Sequence, residues 1–182
     1  MTASAPGLGP RALLVYCSRP GETYCYGGRQ YLAVGNTQIV AERITSLVRV
    51  DVHRLEAADP YPAGYDATVE RNVLEQQSEA RPAIAGAVPS TAGYTTVLVG
   101  CPIWNLRPPC LMGTFLKAVD LTGATILPFT THAMSGLGTV EEEYAAWCPG
   151  ATVREGLAVR GEQAAGSRDA VQAWLRRNGL VA

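Results

Sequence analysis

Three stretches of this 182-residue chain carry side chains whose types and spacing suit ligand chemistry. The first runs from Ser18 to Gly35-Asn36-Thr37, where a helical pattern begins. Hydroxyls and backbone N–H groups at a helix N-terminus make an anion site. Asn36 or Thr37 would equally serve as an ordinary helix cap. A second candidate cradle, Ser18-Arg19-Pro20-Gly21-Glu22-Thr23, offers a similar mix of hydroxyls and glycine. Neither is a Walker loop, because no Gly-Lys-Ser/Thr follows. The intervening residues 19–34 hold Gly21, Gly27, Gly28, Tyr24, Tyr26 and Tyr31, a composition that fits a hairpin standing over the site.

The second stretch is Gly100-Cys101-Pro102-Ile103-Trp104-Asn105-Leu106-Arg107-Pro108-Pro109. Trp104 directly follows an apolar run. It reads either as an exposed plane for stacking or as a ring closing the edge of the core. The third stretch, Pro128 to Thr139, is rich in hydroxyls and glycine, so its backbone can approach a flat ligand closely. His132 lies in it without a Ser-His-Asp order or a neighbouring cysteine, so nucleophilic chemistry is not indicated. Ser135 lacks the G-x-S-x-G context, and Gly136-Leu137-Gly138 does not complete a dinucleotide fingerprint, because position 141 is Glu. Together the three stretches suit a flat heterocycle carrying one phosphate.

The elements that must position these loops follow from apolar periodicity. Strands are expected over Arg11–Cys17, Val50–Leu55, Tyr94–Gly100, Ala124–Thr130 and Thr152–Val159. Helices are expected over Asn36–Val48, Leu111–Val119, Thr139–Trp147 and Ser167–Arg177, the last with Ser167 as N-cap and Gly179 just past its end. Residues 61–85 read as a surface helix between the second and third strands, with Val69, Val73 and Leu74 as its apolar positions. Alternating strands and helices imply an α/β fold: a three-layer αβα sandwich around a five-stranded parallel sheet of order 2-1-3-4-5. Ligands of such sheets sit beyond the carboxyl ends of the strands, where all three stretches fall. The expected organisation is a flexible leader over residues 1–10 and a single domain over 11–182.

Composition narrows the function. The formal net charge of −1 excludes a broad basic surface for nucleic acid. No apolar run is long enough to span a bilayer, and the first ten residues lack the pattern of a signal peptide. Five cysteines without a C-x-x-C pair argue against a disulfide framework or a zinc site, so a reduced cytoplasmic protein without metal is expected. Phosphoacceptor domains of this architecture need acidic residues after the first strand and Asp after the third. Ser18 and Pro102 stand there instead.

The chain resembles flavodoxin-like FMN-binding proteins, in particular a bacterial branch with an extended first loop. The resemblance is carried by Val15-Tyr16-Cys17-Ser18-Arg19-Pro20-Gly21-Glu22, Val34-Gly35-Asn36-Thr37, Arg81-Pro82-Ala83-Ile84, Pro102-Ile103-Trp104-Asn105 and residues 128–138. It implies non-covalent FMN. Ser18, Asn36 and Thr37 would hold the phosphate, with Gly35 and Arg19 beside them. Pro102, Ile103, Trp104 and Asn105 would line the flavin ring. Thr130, Thr131, His132, Ser135, Gly136 and Gly138 would contact the ring edge and the ribityl chain. Ala133-Met134 and Arg107-Pro108-Pro109 depart from the family pattern. The expected role is electron transfer to a redox protein partner or a small-molecule acceptor. The alternative is an FMN-dependent NAD(P)H oxidoreductase acting on a quinone-like substrate. A monomer or weak homodimer is expected, with no nucleic-acid or membrane partner.

Overall fold

The computed structural model describes residues 11–25 and 27–182. The expected leader, residues 1–10, lies outside them, as does Tyr26. Six strands at five positions form one parallel sheet: β1 (Ala12–Cys17), β4 (Asp51–Leu55), β5 (Thr96–Pro102), β6 (Thr125–His132), and a fifth position shared by β7 (Thr152–Val153) and β8 (Leu157–Arg160). The order is β4-β1-β5-β6, with β7 and β8 both pairing β6. That is the expected order 2-1-3-4-5. The fifth strand is not continuous, however. At Gly156 a Cβ would strike Leu137 and the Pro128 carbonyl, and its N–H donates to Glu141 Oε1 at 2.7 Å instead of joining the ladder.

Alternation along the central strands builds two cores. Leu13, Val15, Val97, Val99 and Ile126 face α3 (Cys110–Ala118) and α4 (Val140–Trp147), which bury Met112, Phe115, Leu116, Val140 and Tyr144. Leu14, Leu98, Leu127 and Phe129 face α1 (Asn36–Thr45) and α5 (Arg168–Arg177), which bury Val40, Ile44, Val171, Trp174 and Leu175. Gly100 lies against the Phe129 ring, leaving no room for a side chain.

Helix ends differ from expectation in two places. α1 stops at Thr45, and Leu47 and Val48 turn back to donate to the Ile44 carbonyl. Ser167 occupies the N-cap of α5 but gives no side-chain cap, since its hydroxyl donates to Ala164 O in the preceding 3-10 turn. α5 ends as expected: Gly179 has φ of 71°, and Leu180 N donates to Leu175 O at 3.0 Å.

Two additions flank the sheet at the carboxyl ends of its strands. β2 (Gly21–Cys25) and β3 (Gly28–Leu32) form a separate antiparallel hairpin, as residues 19–34 led us to expect. α2 (Tyr65–Gln77) lies beside it. Among the described residues no helix is long and apolar enough to cross a membrane.

Candidate functional site

At the start of α1 the N-cap is Gly35, not Asn36 or Thr37. A Cβ at Gly35 would collide with Ser18 Oγ and the Arg19 carbonyl, so only glycine lets the helix start sit this close to the end of β1. Ser18 Oγ accepts from Gln38 N at 3.0 Å and so caps the helix from another element. The N–H groups of Asn36 and Thr37 precede the helix's own hydrogen-bond ladder. No acidic side chain occupies the first turn. Thr37 is buried, and its hydroxyl pairs with that of Thr131 at 2.7 Å, joining α1 to the end of β6. Asn36 Nδ2 rests on Gly161, where a Cβ would displace it. Positive helix-end charge, N–H groups and hydroxyls therefore converge here, with no carboxylate in the helix's own first turn.

Arg19 does not belong to that cradle. Its guanidinium donates to the carbonyls of Pro20, Glu22, Pro62 and Ala63, tying the hairpin base to the segment before α2. Burial lowers its pKa from the ordinary guanidinium value.

The loop after β5 is a tight reversal. Trp104 and Arg107 exchange both backbone hydrogen bonds, at 2.9 and 3.1 Å. Asn105 and Leu106 between them adopt left-handed φ of 49° and 67°. Such a conformation costs a branched residue like Leu106 about 1–2 kcal/mol, and neighbours hold it in place. Leu106 O accepts from Thr139 N at 2.9 Å, and Arg107 forms a two-pronged ion pair with Glu143 at 2.8 Å. The Trp104 ring is half-buried and meets Tyr61 edge to face at 4.8 Å, so it is both a core edge and an exposed plane.

A cleft opens between these parts. Of the residues singled out in the sequence, Ser18, Arg19, Asn36, Thr37, Pro102, Ile103, Trp104, Asn105, Thr131 and His132 line it. Gly35 and Thr130 stand behind that lining. Ser135, Gly136 and Gly138 are not brought to the cleft. Thr130 Oγ1 donates to Gly136 O at 3.0 Å, and Gly138 packs on the Leu106 carbonyl, so this loop braces its neighbour. Burial holds the His132 imidazole below its usual pKa, although the charge of Glu162 opposes this, and the ring is neutral at pH 7.

Of the far wall, the sequence pointed to the hairpin but not to α2. That wall consists of Thr23, Tyr24 and Leu32 from the hairpin and Tyr65, Thr68, Val69 and Asn72 from α2. The spacing 65, 68, 69, 72 is that of one helix face, and it was the available signal. Glu22 Oε2 accepts from Tyr65 N at 3.0 Å, so the N-terminus of α2 already faces a carboxylate, unlike that of α1. Gln76 Nε2 donates to Trp104 O at 3.0 Å and fixes α2 to the loop after β5. A neighbouring cavity shares Ser18, Arg19, Pro102 and Trp104 with the cleft and continues along Tyr31, Arg54 and Tyr61.

Two buried polar atoms of cleft residues, His132 Nδ1 and Asn72 Oδ1, have no hydrogen-bond partner among the described residues. Such atoms call for a ligand or water. With the cradle and the Trp104 plane, they fit a flat phosphorylated heterocycle.

Comparison with known proteins agrees with this geometry. No curated protein sequence matches the chain. Among solved structures it is similar to a Bacteroides uniformis protein assigned as a flavoprotein, at 25% identity and TM-score 0.73, over 93% of this chain and 99% of that one. A Bacteroides eggerthii protein assigned likewise matches at 24% identity and TM-score 0.71, over 93% and 98% of the two chains. A Lactobacillus acidophilus flavoprotein in complex with FMN matches in fold at 20% identity and TM-score 0.63, over 90% and 99%. The flavodoxin family model matches residues 29–178, which take in α1, both strand-end loops and the closing helix, and the chain belongs to the flavodoxin family.

Proposed function

We propose that the cleft holds FMN non-covalently and that the protein transfers electrons through it. The observation that carries this reading is the start of α1. There a helix end without acidic residues meets Ser18, Asn36 and Thr37 at the mouth of a cleft bordered by Trp104. Membership of the flavodoxin family supports it. Bound FMN would supply the one- and two-electron chemistry, and the protein would supply position and electrostatics. Ser18, Asn36 and Thr37 hold the phosphate. Pro102, Ile103, Trp104 and Asn105 flank the ring. Thr131 and His132 border the chain between them. The five free cysteines suit a reduced cytoplasmic compartment.

A second reading, an NAD(P)H-dependent reductase of a small quinone-like substrate, is favoured by the far wall. The hairpin and α2 enclose the cleft on the side where a redox protein partner would otherwise reach it. Net charge of −1 also gives little field for docking a basic protein. The deciding experiment is a visible spectrum of the purified protein, followed by anaerobic NADPH, NADH and then dithionite. Flavin bands bleached by a nicotinamide make it a reductase. Bands bleached only by dithionite or a reductase partner make it a carrier. A protein that shows no flavin bands and retains none after incubation with FMN contradicts both readings.

A further inference from the structure

Asn72 lies on the face of α2 that borders the cleft and is 2% exposed, yet its Oδ1 meets no donor among the described residues. A buried amide oxygen in that state is unfavourable unless something outside the protein supplies the hydrogen. Thr68 and Gln76 on the same helix face are already engaged. Thr68 Oγ1 donates to Pro62 O and Gly64 O at 2.9 and 2.8 Å. Gln76 donates to Trp104 O and accepts from Asn105 Nδ2, at 3.0 and 2.9 Å. Around Asn72 the wall is aromatic and aliphatic. Tyr24 and Tyr65 lie with ring centroids 6.5 Å apart, and Val69 stands between Tyr65 and Asn72 along the helix. The far wall thus offers flat apolar contact and, among the described residues, a buried unpaired acceptor in Asn72 Oδ1.

We propose that this wall recognises a planar ring whose edge carries an N–H or O–H group, and that Asn72 is its specificity-determining residue, with Oδ1 accepting the hydrogen bond. The inference rests on the FMN reading of the cleft. The donor belongs either to the flavin, whose ring has one N–H at N3, or to a second ring that exchanges electrons with it, such as a nicotinamide with its carboxamide.

The test uses the wild-type protein and Asn72→Leu, with Asn72→Ala as a second variant should the first not fold. FMN and 3-methyl-FMN are titrated into flavin-free protein, and NADH is titrated into FMN-loaded protein. The thermal midpoint of the flavin-free forms is also measured. Asn72→Leu is expected to leave that midpoint unchanged or raised, because it removes an unpaired buried acceptor with little change of shape. It is expected to weaken one of the two ligands roughly tenfold. If the flavin is the donor, wild type binds 3-methyl-FMN roughly tenfold more weakly than FMN, and the variant binds both alike. If the second ring is the donor, FMN affinity holds and NADH affinity falls. Unchanged binding of both FMN and NADH in the variant overturns the proposal and assigns the atom to a water. Failure of wild type to bind FMN at all overturns the FMN reading itself, and this inference with it.

Discussion

On the α1 side of the cleft, Ser18, Asn36 and Thr37 stand on elements that also build the core. β1 is buried along its whole length, Thr37 and Thr131 are buried together, and Gly35 admits no side chain. On the α2 side, the hairpin and helix are held mainly by polar contacts near solvent. Arg29 pairs with Asp66, Glu22 with the start of α2, Arg71 with the Asp59 and Pro60 carbonyls, and Gln76 with the Trp104 carbonyl. The first side cannot change without disturbing the sheet. The second can be altered with little effect on the core. A site built this way keeps its phosphate anchor constant while the facing wall is free to determine which ring edge is accepted.

The largest expected effect breaks the rigid side. Gly35→Val puts side-chain atoms where Ser18 Oγ and the Arg19 carbonyl lie. Overpacking of that kind costs about 1–3 kcal/mol, and FMN affinity should fall by about 100-fold or more, or roughly 2.7 kcal/mol. Titration by flavin fluorescence reads the affinity, and urea unfolding of the flavin-free protein reads the stability. Thr37→Val is next. It keeps the shape but leaves the buried Thr131 hydroxyl without its partner, at a cost of about 1–3 kcal/mol. FMN affinity should drop roughly tenfold. The smallest effect is expected from Arg29→Ala on the far wall. Its pairing with Asp66 is solvent-exposed, so the thermal midpoint and FMN affinity should hardly move. Amide hydrogen exchange in β2 and β3 should nevertheless speed up, because the hairpin loses one of its tethers to α2. An effect of Arg29→Ala on FMN affinity as large as that of Thr37→Val would erase the distinction between the two sides.

The same distinction separates what was legible in the sequence from what was not. β1, β5 and β6 are apolar runs, and their loops had to lie at one end of a parallel sheet, so the cradle and the Trp104 loop could be named from residue types. α2 obscured its role because its pattern is inverted. Its apolar residues Val69 and Leu74 are exposed, while Thr68, Asn72 and Glu75 are buried. Hydrophobic periodicity reads such a helix as facing the wrong way. Ser135, Gly136 and Gly138 show a different limit. Glycine permits close approach, but residue type cannot say whether a ligand or a neighbouring loop approaches, and at Gly138 it is the loop at Leu106. Arg19 looked like an anion ligand, and only the fold reveals the backbone carbonyls that it holds.

The central claim is that the N-terminus of α1 holds the phosphate of FMN. The most direct measurement compares FMN with riboflavin, the same ring and ribityl chain without the phosphate, by titration into the flavin-free protein. The account predicts that FMN binds more tightly by about 100-fold or more, or roughly 2.7 kcal/mol, and that Gly35→Val removes most of that preference. Equal affinity for the two flavins in the wild-type protein would contradict it.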